Sequence, residues 1–486
     1  MGADETAPLF KSNRRATGSR PPVYLYFIVG CAALNSVNLG YDIGVNSGVA
    51  VLIQEDLGLS GRQIGLFMGI LHFLAACGGL MNQAVSDRLG RCRTFTVAQV
   101  ILLVGVAILF TAGSYSALLV GRMFVGIGVG LGLAIDPLYM AEVSPADCRG
   151  MLTAWAEIAT NLGVLLGFIA NSVFNGLPLG HDWRTMLACG GVLPLVLTVL
   201  SLTVMPESPR WLIARGRDAE AEVVLQRTHA ADVNVAELVK EIRDQLRVEA
   251  EHEGLGWTEL LRPDAMTRRM LLVGVGVAFA QQINGSESVV LYSPELFKDA
   301  GVARTTSGLF AVTIIVGVVK LIFIVVSALL LDSVGRRPLL ILSTCGMAIC
   351  QLVLSLALAT SHGWLAATAV WVFIAFFSVG IGPICWLLAA EVFPLHIRAK
   401  AMSLAAFTNR ATSGIVALTF LPLSGAMTLS GYYLLFAFFT AGTAVASYYY
   451  VPETKQRTLE QLTDFFRELS YGSEKDAESL ANRATK

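Results

Sequence analysis

Apolar runs of about 20 residues or more recur along the whole chain, interrupted by short charged clusters. A helix of that length covers the hydrocarbon thickness of a bilayer and satisfies its own backbone hydrogen bonds there. About twelve such runs begin near Tyr24, Gly61, Thr94, Ser116, Gly150 and Arg184, then near Arg269, Thr306, Leu339, Trp364, Ala399 and Gly431. Composition agrees, because only 15% of the 486 residues are charged, against about a quarter in soluble domains. The prediction is an all-α membrane protein. Nucleic-acid binding, disorder, fibrous repeats and secreted disulfide scaffolds are excluded, and a net charge of −1 predicts no polyanionic partner. None of the eight cysteines forms an obvious pair in a loop on the outer side, so no structural disulfide is expected.

The positive charges set the orientation. With both termini in the cytosol, 28 of the 35 Lys and Arg residues fall on the inside. Only Arg62, Arg184, Lys298 and Arg304 fall outside, and Arg122, Lys320 and Arg410 lie at membrane depth. That asymmetry predicts cytosolic termini. Residues 1–23 then form a cytosolic tail, 24–205 a six-helix half, 206–268 a cytosolic linker, 269–450 a second half and 451–486 a second tail. Asp218–Arg227 and Val235–Glu251 in the linker read as amphipathic surface helices.

The two halves repeat. Asp87-Arg88-Leu89-Gly90-Arg91 recurs as Asp332-Ser333-Val334-Gly335-Arg336, and Glu142 with Arg149 recurs as Glu391 with Arg398. Pro206-Glu207-Ser208 is echoed by Pro452-Glu453-Thr454. Two parallel six-span halves facing each other place a binding site near the midplane, open alternately to either side. Asp87, Arg88, Arg91, Glu142, Arg149, Glu207, Asp332, Arg336, Glu391 and Arg398 are candidate latches, forming ion pairs while the cytosolic face is closed.

Ionisable residues inside spans are costly unless they pair or line a cavity. Seven are present: Asp42, Arg122, Asp136, Glu157, Glu287, Lys320 and Arg410. Four acids against three bases leave one acid free to exchange a proton. Asp42, in a Gly-flanked stretch of the first span, is the best candidate, with Arg122 as its partner. Glu287, Lys320 and Arg410 either recognise hydroxyl groups or form a structural network behind the site. Asp136 either serves as a proton exit or caps a break at Pro137, and the second reading is preferred. His72 and Tyr292 read as packing or gate residues. No metal-ligand cluster, catalytic triad or phosphate loop is present, so the chain is not expected to be an enzyme.

Several motifs together carry a family resemblance: Gly40-Tyr41-Asp42-Ile43-Gly44, Asp87-Arg88-Leu89-Gly90-Arg91, Pro206-Glu207-Ser208-Pro209-Arg210-Trp211, Gln281-Gln282, Gly382-Pro383-Ile384-Cys385-Trp386 and Pro452-Glu453-Thr454. From about Tyr24 to Leu459 the chain resembles the sugar porter family of the major facilitator superfamily. Within it, Ala141–Ala146, Val289–Pro294 and Asn409-Arg410 are most like plant-type polyol and monosaccharide transporters. Gln83 and Cys92 depart from the family pattern, standing where a Gly and a basic residue are usual.

The resemblance implies a 12-span major facilitator fold with two six-helix halves and a cytosolic helical linker. It implies import of linear polyols, cyclitols or monosaccharides with a proton, accepted at Asp42 beside Arg122. Glu157, Gln281, Gln282, Glu287, Trp386 and Asn409 match sugar-touching positions, and Lys320 and Arg410 complete the candidate site. Gly382 and Pro383 offer a hinge in the tenth span. Amide groups that both donate and accept suit a substrate made of hydroxyls. A facilitative uniporter is the alternative, and a non-transporting sugar sensor a remote one. The expected partners are a polyol or sugar, a proton as coupling ion and the bilayer, with no further cofactor and a monomeric state. The plasma membrane is the expected location, with a vacuolar or other internal membrane as the alternative.

Overall fold

A computed structural model of the chain describes residues 21–471 apart from 146, 179–180, 231, 253–258 and 456–458; the side chains of 248–252, 332, 395–396, 459–460 and 471 also lie outside the described set. The first 20 residues lie outside it too.

The described residues are nearly all helical. The first six spans are Val23–Leu57, Gly61–Leu89, Arg91–Thr111, Tyr115–Val143, Arg149–Phe174 and Asp182–Thr203. The second six begin with a discontinuous seventh span, Ala265–Ile283 followed by Ser286–Leu291 and Ser293–Asp299. Thr306–Val334, Arg336–Ala359 and Gly363–Val392 follow. A last continuous assignment, Leu395–Tyr450, is two spans meeting at Thr428, whose φ of 68° is not helical. The expected count of twelve is thus met, although the eleventh and twelfth share one helix assignment. Between the halves, short helices at Pro209–Ala214, Asp218–Thr228 and Val235–His252 form their own small apolar cluster.

Local chemistry sets the ends. Ser60 and Gln63 form a reciprocal capping box at the second span, and Asp264 Oδ1 accepts from Thr267 N at 2.8 Å to start the seventh. Small residues then let helices touch along their backbones. A Cβ on Gly40 would sit 1.8 Å from Thr160 O, and one on Gly163 would sit 2.0 Å from Val37 O, so spans one and five lie in backbone contact. Asp42, two residues beyond Gly40, is turned away from that seam by the helical rotation of about 100° per residue.

The halves meet along two seams. Spans two and eleven approach through Gly65 and Gly69, which face Leu418 O and Gly414 O. Spans five and eight meet where Gly317 packs on Leu165 and Phe168, and Asn175 Nδ2 donates to Ser307 Oγ at 2.9 Å at the end remote from the linker.

Two breaks differ from expectation. The tenth span is interrupted at Gly380 (φ −122°, ψ −95°), two residues before Gly382 and three before Pro383. Ser343 of the ninth span fills the gap, donating to Phe376 O and accepting from Ile381 N. The fourth span, in contrast, runs through Pro137 without a break, so Asp136 has no helix end to cap.

Candidate functional site

Asp42 and Arg122 form an ion pair between the first and fourth spans. Arg122 Nη1 donates to Asp42 Oδ1 at 3.0 Å and to Oδ2 at 3.3 Å. Asn46 Nδ2, one turn along, also donates to Oδ1 at 3.0 Å. The guanidinium is 2% exposed; its Nε donates to Phe67 O, and its centre lies 4.8 Å from the Phe67 ring. Burial of this kind makes the pair depend on both partners, because removing one leaves an uncompensated charge. A narrow crevice among Asn38, Tyr41, Val45, Leu102 and Leu187 reaches Asp42.

A second group gathers amides at the break of the seventh span. Gln281 Nε2 donates to Gly382 O at 2.6 Å. Asn409 Nδ2 donates to Gln281 Oε1 at 2.6 Å, and Gln282 Nε2 reaches Asn409 Oδ1 at 3.3 Å. Arg410 donates from Nε and Nη2 to the same Asn409 oxygen. Gln282 Oε1, Glu287 Oε1 and Asn161 Oδ1 are buried acceptors without a hydrogen-bond donor. Each of these oxygens can accept a hydrogen bond from a hydroxyl donor. Trp386 lies partly exposed against the apolar core.

The expected network of Glu287, Lys320 and Arg410 is not closed by direct ion pairs among the described residues. Glu287 Oε1 instead lies 3.8 Å from His72 Nε2, and Arg410 is held by Asn409. Lys320 stands within electrostatic reach of Glu287, Glu157 and Arg410, with its Nζ 5.9 Å from the Phe377 ring. Glu157 takes a hydrogen bond from Asn161 Nδ2. His72, expected as a packing or gate residue, bridges the halves through Ser413 Oγ at 3.1 Å. Its one signal was a polar ring amid an apolar run. Tyr292 donates to Ala417 O and stacks on Phe420.

The repeated motifs build the same clasp twice. Glu207 accepts from the backbone N–H of Arg91 at 2.7 Å, and also from Cys92 and Ser208, closing the start of the third span. Glu453 accepts from Arg336 N at 3.0 Å and Arg337 N at 3.1 Å at the start of the ninth. A carboxylate there satisfies orphan donors and complements the helix dipole. Gly90 and Gly335 precede these starts at φ of 94° and 102°, and a Cβ would fall 2.4 Å and 2.8 Å from the two carboxylates. Arg91 then grips Glu142 through two 2.8 Å hydrogen bonds, and Arg336 Nη2 reaches Glu391 at 3.1 Å.

These pairs lie inside each half. Arg149 and Arg398, which follow Glu142 and Glu391 at the same spacing, donate to Ser144 O and Phe393 O. Asp87 also pairs with Arg91 at 3.3 Å, and the Arg88 side chain is exposed. The side chain of Asp332 lies outside the described residues.

The comparisons with known proteins agree with this architecture. Residues 28–466 match the family model described as "Sugar (and other) transporter". The chain is 42% identical over 458 residues to "Probable polyol transporter 4" of Arabidopsis thaliana, covering 93% of this chain and 87% of the relative. It is 38% identical to "Polyol transporter 5" of the same plant, covering 92% and 88%. Among solved structures it resembles the proton:xylose symporter XylE bound to 6-bromo-6-deoxy-D-glucose, with 29% identity, a TM-score of 0.77 and coverage of 91% and 99%. It also resembles the inward open conformation of XylE from E. coli, with 27% identity and a TM-score of 0.78 over 91% and 99%. With these matches along nearly its full length, the chain belongs to the sugar transporter family of the major facilitator superfamily, as a multi-pass membrane transporter akin to plant polyol transporters.

Proposed function

We propose that the chain is a proton-coupled symporter of linear polyols, cyclitols or monosaccharides, working by alternating access with both termini in the cytosol of a plasma-membrane protein. The observation that carries this reading is the buried Asp42–Arg122 ion pair between the first and fourth spans. Arg122 and Asp42 are held together as a salt bridge while the two touch. Once they separate, a carboxylate in a low-dielectric surround takes a proton, and the neutral group crosses the occluded state at less cost. The names of the polyol relatives support the substrate class, and the XylE description supports the proton.

In this reading Gln281, Gln282 and Asn409 exchange hydrogen bonds with substrate hydroxyls, while Trp386 offers an apolar face to C–H groups. Glu157, Glu287, Lys320 and Arg410 form the charged rim of the same site. The clasp residues around Arg91 and Arg336 stabilise the cytosolic ends of the halves. Uptake by proteoliposomes under an imposed proton gradient tests the coupling. Asp42→Asn is expected to abolish uphill accumulation while leaving exchange down a substrate gradient. Accumulation by that variant from an acidic medium would overturn the assignment.

A further inference from the structure

Asp136 is a buried acid inside a span with no ion-pair partner among the described residues. It is 1% exposed, and its only hydrogen-bond partners among the described residues are neutral. Ser36 Oγ lies 2.5 Å from Oδ2, and Asn35 Nδ2 donates to Oδ1 at 2.9 Å, both from the first span. Gln99 Nε2 of the third span donates to Asn35 Oδ1 at 2.6 Å, which fixes the Asn35 amide with its donor toward Asp136.

The charged and titratable groups of the surrounding helices are engaged elsewhere. On the first span Asp42 pairs with Arg122, and Cys31 is a buried thiol. On the second, His72 faces Ser413 and Glu287. On the third, Arg91 holds Glu142 and Asp87, and the Cys92 thiol faces Pro206 O. On the fifth, Glu157 takes Asn161, and Arg149 donates to Ser144 O. On the fourth span itself, Tyr139 donates to Pro206 O.

This arrangement accepts either protonation state without rebuilding. A hydroxyl both donates and accepts, so Ser36 Oγ donates to the carboxylate or accepts from the carboxylic acid at the same separation. The Asn35 amide donates in both cases. Asp42 and Ser36 lie six residues apart on one helix, about 9 Å along its axis, and Asp136 lies about 10 Å from the linker-side end of its own span.

We infer that Asp136 is a second proton-binding carboxyl, placed between the Asp42–Arg122 pair and the linker-side face, from which the coupled proton leaves. The inference rests on the proton-coupled reading above. The proton bound at Asp136 Oδ2 is released to water on the linker side as the carboxylate reforms, with no other bond made or broken.

Two measurements on the full chain test it. In infrared difference spectra with labelled aspartate, wild type should show a carboxylic C=O band that titrates with pH, is lost in Asp136→Asn and remains in Asp42→Asn. A band from Asp136 that never appears, or that persists at every pH, would overturn the inference. In proteoliposomes, Asp136→Asn should flatten the dependence of uptake on internal pH at least about threefold while substrate counterflow continues. An unchanged dependence also overturns it. Ser36→Ala leaves the carboxyl in place and should move the titration of the same band, a readout independent of how Asp136→Asn folds. If wild type shows no proton-driven uptake, the symport reading fails and the exit role of Asp136 fails with it, whereas proton-driven uptake with a band that does not titrate overturns the inference alone.

Discussion

At the residue scale, what could be read early was what is costly to bury. Asp42 and Arg122 stood out because charges inside apolar runs are rare, and the structure joins them at 3.0 Å. Asn35, Ser36 and Gln99 did not stand out, because small polar side chains are common in helices and acquire meaning only from what they touch. The amide cluster of Gln281, Gln282 and Asn409 leads to a first prediction. Gln282→Leu removes an acceptor and leaves Asn409 with one fewer donor, so the substrate Kd should rise about tenfold or more. Thermal stabilisation by added polyol reads this directly, and equal stabilisation of variant and wild type would refute it.

The paired caps supply a second prediction with opposite signs in the two halves. Burial pushes the Glu207 carboxyl above its ordinary value, against the opposing pull of the Ser208, Arg91 and Cys92 amides. Burial also pushes Glu453 up, but the amides of Lys455, Arg336 and Arg337 outweigh it and leave that carboxyl lowered. A lowered Glu453 contributes stability that is present above its unfolded value and lost as pH falls through its folded value. A raised Glu207 binds more protons folded than unfolded, so its contribution falls as pH rises from the unfolded value through the folded one. Unfolding curves across the carboxylate range should therefore change in opposite directions in Glu453→Gln and Glu207→Gln. Parallel shifts would contradict the assignment.

At the scale of elements, span existence was legible, and span interruption only to within a few residues, as at Gly380 beside the expected Gly382-Pro383 hinge. Hydropathy marks twelve apolar runs, but breaks depend on a neighbour that fills the gap, as Ser343 does at Gly380. The helix Leu459–Tyr471 was missed in what read as a tail; Leu462 and Phe466 are buried, and Leu469 O accepts from Arg269. Its alternation of buried and exposed positions is too short to separate from chance. Close helix packing gives a third prediction. Gly163→Leu places a side chain where Cβ alone would lie 2.0 Å from Val37 O. It should cost at least about 2–3 kcal/mol of stability, whereas Gly276→Leu, with nothing within 4 Å, should be tolerated. Similar melting of both variants would show that the seam between spans one and five is not tight.

At the scale of the whole molecule, alternating access requires two stiff halves and a seam that can rearrange. The repeated motifs were visible as echoes in the sequence, but spacing alone did not say which partner each charge takes. The fold brings Arg91 to Glu142, because the Glu207 cap fixes the start of the third span beside the end of the fourth. In this conformation the clasps brace each half internally. That geometry makes a measurable distinction between a brace and a latch. Glu142→Gln takes from the buried Arg91 guanidinium its nearer carboxylate, leaving it Asp87 at 3.3 Å, and should cost about 3 kcal/mol. Glu391→Gln should cost less, since Arg336 and Glu391 are more exposed, at 12% and 23% against 9% and 6% for the first pair. Braces in separate halves are independent, so the double variant should lose the sum of the two within about 0.5 kcal/mol. A latch spanning both halves would couple them, and a larger departure from that sum would assign the clasps to the gate.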